Sequence, residues 1–221
     1  MKFDAATAIY CIDLIGTASF AFSGALRVLD RKPDIVGMTI LAGATAVGGS
    51  TIRDLVLGRQ VMCLRDINYP LVILLSVVVT FLFPNSLRKR ERLFMLSDAL
   101  GLGTFAALTA QAAWSTPDIN WLSVLMVATF TGCAGGVIRD VVAQKRTLVL
   151  TNELYVTPII LGAAGLMLAR VMGAGSMAGL FTAMSITIGV RLLAIAFDWR
   201  LPRVFVSVEE PGPAAAVNRE E

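Results

Sequence analysis

The sequence predicts an all-α membrane protein of seven transmembrane helices, laid out as two inverted three-helix repeats plus one extra C-terminal helix. Three observations predict it. Hydrophobic residues make up 56% of the 221 positions and charged residues only 16%, with a mean hydropathy of +0.74, whereas soluble domains carry roughly 25% charged residues. The apolar residues are gathered into long windows bounded by charge, Gly and Pro. One charged motif, GGSTIRD, returns later in the chain as GGVIRD.

A helix needs about 20 apolar residues to cross the hydrocarbon core. The first window, Ala5 to Leu26, is preceded only by Lys2 and Asp4, lacks a convincing cleavage site and resembles the later windows, so it is expected to be a retained span and not a signal peptide. Ile35 to Val56 is the second. Tyr69 to Phe83 is the shortest, yet VILLSVVVTFLF is too apolar to sit outside a membrane. Leu93 to Ala113, Trp121 to Val142, Tyr155 to Met172 and Met177 to Phe197 complete the set. Trp114, Trp121 and Trp199 fall at helix ends, where amphipathic indoles prefer to lie. Residues 1–198 thus form one transmembrane domain, with repeat one over about 5–84, repeat two over about 93–172 and the seventh helix over about 177–197. Beyond it the chain turns polar, through Glu209, Glu210, Pro211, Gly212 and Pro213, and residues 199–221 are expected to be a flexible cytoplasmic tail.

With seven spans the termini lie on opposite faces. One face collects Arg27, Arg31, Lys32, Arg88, Lys89, Arg90, Arg92, Lys145, Arg146, Arg200, Arg203 and Arg219; the other holds only Lys2, Arg59, Arg65 and Arg170. The positive-inside rule makes the first face cytoplasmic. The expectation is a multi-pass protein of the bacterial inner membrane, with its N-terminus outside and its C-terminus inside.

Several function classes are disfavoured. There is no histidine, which removes the commonest acid–base group and metal ligand. Cys11, Cys63 and Cys133 occur singly in or near apolar segments and read as core filler, not as a disulfide or metal framework. No nucleotide loop, zinc motif or Ser-based triad is present, and no strand precedes the glycine pairs as a dinucleotide site requires. No enzyme activity, cofactor, metal or nucleic-acid partner is expected; the lipid bilayer is the expected environment.

The repeat extends beyond the motif. Asp13, Gly16, Phe20 and Ala21 match Asp98, Gly101, Phe105 and Ala106, and one inserted residue later Arg53 and Asp54 match Arg139 and Asp140. Tyr69 and Pro70 roughly answer Tyr155 and Pro158. Each unit holds three spans, and an odd number forces the second unit to enter the membrane from the opposite face. This inverted plan places a binding site or pathway near the midplane, commonly at broken helices.

Candidate site residues follow from the motif. Gly48 and Gly49, and Gly135 and Gly136, are expected to break the second and fifth helices and line a polar path; close helix packing through small residues is the competing account. Thr45, Ser50, Thr51, Thr129 and Thr131 put hydroxyls around those glycines, suited to weak coordination of a monovalent cation or to bonding back onto their own helices. Arg53-Asp54 and Arg139-Asp140 lie near span ends, where one such pair is usually an interfacial anchor. Asp13 and Asp98 sit deeper, and an intramembrane carboxylate is costly unless paired or hydrated. Equal depth predicts two ion pairs, Asp13 with Arg53 and Asp98 with Arg139, serving either as a clamp within each repeat or as a gate. Arg191 is expected to face an interface or to snorkel.

With GGSTIRD and GGVIRD in the second helix of each three-helix unit, and a seventh helix after them, Ile9 to Phe197 resembles a prokaryotic member of the trimeric intracellular cation channel family. The resemblance implies a homotrimer with one hourglass pore per protomer, framed by the helices carrying Gly48, Gly49, Gly135 and Gly136, and conducting monovalent cations with potassium preferred. Animal members carry a lysine-bearing motif where this chain reads Arg-Asp, so calcium-linked physiology and inositol-lipid control are not carried over. The alternative is a small-solute secondary transporter, for glycine or another small amino acid, because inverted repeats also build such transporters.

Overall fold

The computed structural model describes residues 4–83, 90–150 and 154–199. Lys2, Arg88, Lys89 and the tail from residue 200 onward, with Arg200, Arg203 and Arg219, lie outside the described residues. Seven α-helices follow one another: α1 (Ala5–Arg27), α2 (Ile35–Val56), α3 (Asn68–Leu82), α4 (Arg90–Trp114), α5 (Trp121–Val142), α6 (Thr157–Val171) and α7 (Ser176–Ala196). Helices α1, α2, α4, α5 and α7 are long and apolar enough to cross a membrane. At 15 residues each, α3 and α6 are roughly 22 Å long, shorter than a full hydrocarbon core.

The helix ends repeat as the sequence does. Asp34 caps α2 by accepting from the Gly37 N–H at 2.7 Å, and Asn120 caps α5 by accepting from the Ser123 N–H at 2.9 Å. At the other end Gly58 and Gln144 both take positive φ, so that the Arg59 N–H reaches the Asp54 carbonyl and the Lys145 N–H the Asp140 carbonyl, satisfying carbonyls that the helix leaves free.

Packing is organised around α4, the most deeply buried of the long helices. Its run of small residues from Ala99 to Ala113 lets neighbours approach on all sides, and α1, α5, α6 and α7 all pack on it. Within the first unit α1 packs on α2 and α3; within the second α4 packs on α5 and α6. The units meet through equivalent helices, α1 against α4 and α2 against α5.

Those two contacts are reciprocal. A Cβ on Gly49 would lie 2.6 Å from the Thr131 carbonyl oxygen, and a Cβ on Gly135 would lie 2.5 Å from that of Thr45. Gly16 likewise abuts Phe105 while Gly101 abuts Phe20, and the two phenyl rings stack with centroids 5.3 Å apart. Residues of one unit touch residues of the other, and their sequence equivalents touch in return. In each contact the pairing descends one helix as it climbs the other, so α2 and α5 run antiparallel at their crossing, as do α1 and α4.

The expected helix breaks are not present. Both α2 and α5 continue as uninterrupted α-helix through Gly48, Gly49, Gly135 and Gly136. Gly49 and Gly135 are there because no side chain fits where two backbones touch. Gly48 instead faces Ile138, and Gly136 accommodates the Tyr155 hydroxyl. The hydroxyls around the glycines bond back onto their own helices, Thr45 to the Leu41 carbonyl, Ser50 to that of Val47 and Thr131 to that of Val127, while Thr51 lies 3.8 Å from the Cys63 sulfur.

Candidate functional site

Each unit builds one charge cluster from the same four positions. In the first, Asp13 of α1, Arg53 and Asp54 of α2 and Tyr69 of α3 converge: Arg53 Nη1 lies 3.5 Å from Asp13 Oδ1, Arg53 Nε lies 2.8 Å from Asp54 Oδ1, and the Tyr69 hydroxyl donates to Asp13 Oδ2. In the second, Asp98 of α4, Arg139 and Asp140 of α5 and Tyr155, in the turn before α6, do the same. Arg139 Nη1 contacts Asp98 Oδ1, Arg139 Nε lies 3.1 Å from Asp140 Oδ1, and the Tyr155 hydroxyl donates to Asp98 Oδ1 at 3.3 Å. The antiparallel crossing puts the clusters on opposite sides of the glycine contact, separated by about 12 residues of helix or roughly 18 Å. The Arg-Asp pairs are therefore buried parts of the clusters, and the expectation of interfacial anchors does not hold.

The clusters differ in access. A cavity of about 430 Å³ reaches the first, lined by Ile9, Tyr10, Asp13, Arg53, Asp54, Arg59, Gln60 and Tyr69. Its ion pair borders open space and has the longer Arg–Asp separation of the two. The second cluster is dry: Asp98, Arg139 and Asp140 have no exposed surface. It is also more heavily tied. Arg139 donates to Ser23 at 3.1 Å, Asp140 accepts from the Leu148 N–H at 3.1 Å, and Arg27 reaches Asp140 at 2.9 Å. The Arg27 and Arg139 guanidiniums lie 4.7 and 4.6 Å from the centroid of the Phe94 ring, an arrangement favoured by its quadrupole. On the same side Lys145 pairs with Asp30 at 2.6 Å.

Four participants were not foreseen as site residues. Tyr69 and Tyr155 were legible only as a repeated position. Arg27 was counted among the loop charges, and Ser23 carries no signal of its own. Arg191 neither snorkels nor faces outward: it is buried in α7, its guanidinium 4.9 Å from the Tyr155 ring centroid.

The cavity has a latch. Tyr10 of α1 donates its hydroxyl to Asp66 in the α2–α3 loop, and Asn68 completes the contact with its side-chain amide on Tyr10 at 2.8 Å and its backbone N–H on Asp66 at 2.9 Å. The Tyr10 hydroxyl and the Asn68 N–H hold Asp66 below its ordinary carboxylate pKa. The latch is thus fully formed above the ordinary value of about 3.9 and is lost as pH falls through the lowered one. A fluorophore on Cys63 in a Cys11→Ser background is expected to keep its anisotropy down to pH 4 and lose it below; Asp66→Asn is expected to show the low value already at pH 7.

Comparison with known proteins places this geometry. A family model described as a glycine transporter matches the chain twice, over residues 10–85 and again over 95–171, once on each unit. A crystal structure of the TRIC trimeric intracellular cation channel orthologue from Rhodobacter sphaeroides superposes with a TM-score of 0.82 at 31% identity, covering 87% of this chain and 100% of that one. The chain belongs to the prokaryotic TRIC channel family. A second TRIC structure, one that gives the structural basis for conductance through TRIC cation channels, matches with a TM-score of 0.80 at 31% identity over 93% of this chain and 98% of the other. Among relatives, a UPF0126 membrane protein of Vibrio cholerae is 37% identical over 88% of this chain and 82% of its own length. The UPF0126 inner membrane protein YadS of Escherichia coli is 32% identical over 88% of this chain and 95% of its own.

Proposed function

We propose that the protein is a monovalent cation channel of the bacterial inner membrane, permeable to potassium, assembled as a homotrimer with one pore in each protomer. The observation that carries this reading is the pair of equivalent Arg–Asp–Tyr clusters on either side of the α2–α5 crossing, in a chain that superposes on TRIC cation channels over nearly its whole length. The reciprocal contacts of Gly49 and Gly135 support two inverted repeats within one transmembrane domain, with α3 and α6 as short spans beside locally thinned lipid. The distribution of basic residues supports an N-terminus outside and a cytoplasmic C-terminus.

In this mechanism the pathway enters through the cavity above Asp13 and Arg53. An arginine beside a cation path is a barrier unless neutralised. Asp13 and Asp54 flank Arg53, and Asp98 and Asp140 flank Arg139, so neither guanidinium stands uncompensated. The second cluster, dry and held by Arg27, is the closed end. Conduction requires that Arg139 and Asp98 exchange each other for water, a discrete rearrangement and not a continuous widening.

The test is potassium flux through liposomes holding the purified protein, with glycine uptake measured on the same vesicles. Rapid, uncoupled potassium flux that changes several-fold in Asp13→Asn is the expected result. Unaltered currents in Asp13→Asn and Asp98→Asn would remove the gating role of the pairs. A second reading, a glycine transporter, is favoured by the description of the matching family model. Slow, saturable glycine uptake without ion leak would establish it instead.

A further inference from the structure

Helix α7 lies outside the repeat, yet it delivers a third arginine to the second cluster. Arg191 is 1% exposed, donates from Nη1 to the Leu154 carbonyl at 3.0 Å, and lays its guanidinium over the Tyr155 ring. Tyr155 in turn donates to Asp98, and its hydroxyl fills the space left by Gly136 of α5. Arg191 thus grips both the backbone and the ring of the short turn that carries the cluster's tyrosine. Among the described residues, the first unit shows no arginine laid over Tyr69 in this way. There the Tyr69 ring meets the edge of the Tyr10 ring, 6.4 Å away, and the cluster borders a cavity. Small residues seat α7 closely enough for Arg191 to reach that turn. Gly162 abuts Thr187 and the Ala183 carbonyl, Gly165 abuts Ile186, and Gly103 of α4 abuts Ile188.

We propose that Arg191 is a positioning residue through which the seventh helix holds Tyr155 against Asp98 and keeps the second cluster shut. A buried cation over an aromatic face is favoured by the ring's quadrupole and strengthens when desolvated, so the contact biases Tyr155 toward the position in which it meets Asp98. The grip makes α7 the element through which a change at its membrane-facing side or in a neighbouring subunit reaches the closed end. The flux arm of the test rests on the channel reading; the structural arm does not.

Cys133 supplies that arm. It is buried in α5, within electrostatic reach of Asp98, and is a free thiol. In a Cys11→Ser/Cys63→Ser background, maleimide labelling of Cys133 in the membrane-embedded protein reports opening of the cluster whether or not ions pass. Arg191→Met is expected to raise the labelling rate about tenfold, Arg191→Lys to keep it within about threefold of the parent, and Tyr155→Phe, which retains the ring but not the bond to Asp98, to match Arg191→Met. If the protein conducts, potassium flux rises in the same two variants. Labelling unchanged in Arg191→Met and Tyr155→Phe overturns the proposal. So does an equal rise in Arg191→Lys and Arg191→Met with loss of a monodisperse assembly, which would mark Arg191 as needed only for folding. Changed labelling in a protein that carries no current leaves the positioning role standing and removes the channel.

Discussion

Replacing Arg139 with methionine is expected to cost about 3–5 kcal/mol of stability, the range measured when one partner of a buried ion pair is removed. The reason lies in what is left behind. Asp140 retains Arg27 and the Leu148 N–H, but Asp98 retains only the Tyr155 hydroxyl on Oδ1, and its Oδ2 already has no hydrogen-bond partner. With no exposed surface, that carboxylate has no water to turn to. The thermal midpoint in detergent is expected to fall on the order of 10 °C. Removing the stranded charge as well, in Arg139→Met/Asp98→Leu, is expected to restore most of the loss, because a buried pair replaced by apolar groups is close to neutral. Arg53→Met is expected to cost far less, since Asp13 borders the cavity and hydrates when its partner goes. Equal losses in Arg53→Met and Arg139→Met would mean that the dryness of the second cluster does not set its energetics.

How much of this was legible depends on where each signal resides. The bounds of α2 and α5 were legible to the residue, because the apolar windows end sharply, before Arg59 and Lys145, and the structure adds the caps Asp34 and Asn120 at their starts. The pairing of Asp13 with Arg53 and Asp98 with Arg139 was legible because the repeat supplies depth twice, and a carboxylate in lipid demands a partner. Tyr69 and Tyr155 were not, since an aromatic at the start of a span reads first as an interfacial anchor. Arg27 was hidden by the positive-inside rule, which counts charges at a helix end without asking whether a side chain can reach back inward. The glycines show a different limit. A pair of glycines permits a kink and a close approach alike, and only the partner decides. The alignment on Arg53 and Arg139 held a hint, because it puts the two pairs out of register by one residue: Gly49 answers Gly135, while Gly48 answers Ala134 and Gly136 answers Ser50. Only the equivalent two touch backbone across the crossing.

That contact makes the sign of a glycine substitution in this bundle depend on position alone. Gly135→Ala is expected to destabilise. Its Cβ would lie 2.5 Å from the Thr45 carbonyl oxygen and 3.3 Å from the Phe20 ring, and a backbone carbonyl in a continuous helix cannot swing aside as a side chain can. Overpacking costs about 1–3 kcal/mol, which exceeds the gain of up to about 1 kcal/mol that alanine brings to a helix interior. Gly43→Ala, in α2, is the matched control, because nothing lies within 4 Å of its added methyl and the same gain appears unopposed. Thermal midpoints are therefore expected to fall for Gly135→Ala and hold or rise for Gly43→Ala. The double variant Gly49→Ala/Gly135→Ala tests the reciprocity. Both methyls press on one crossing, so once α2 and α5 have moved apart for the first, the second costs less, and the loss should be smaller than the sum of the singles. Fully additive losses would mean that the two contacts yield independently and that the crossing is not one coupled contact.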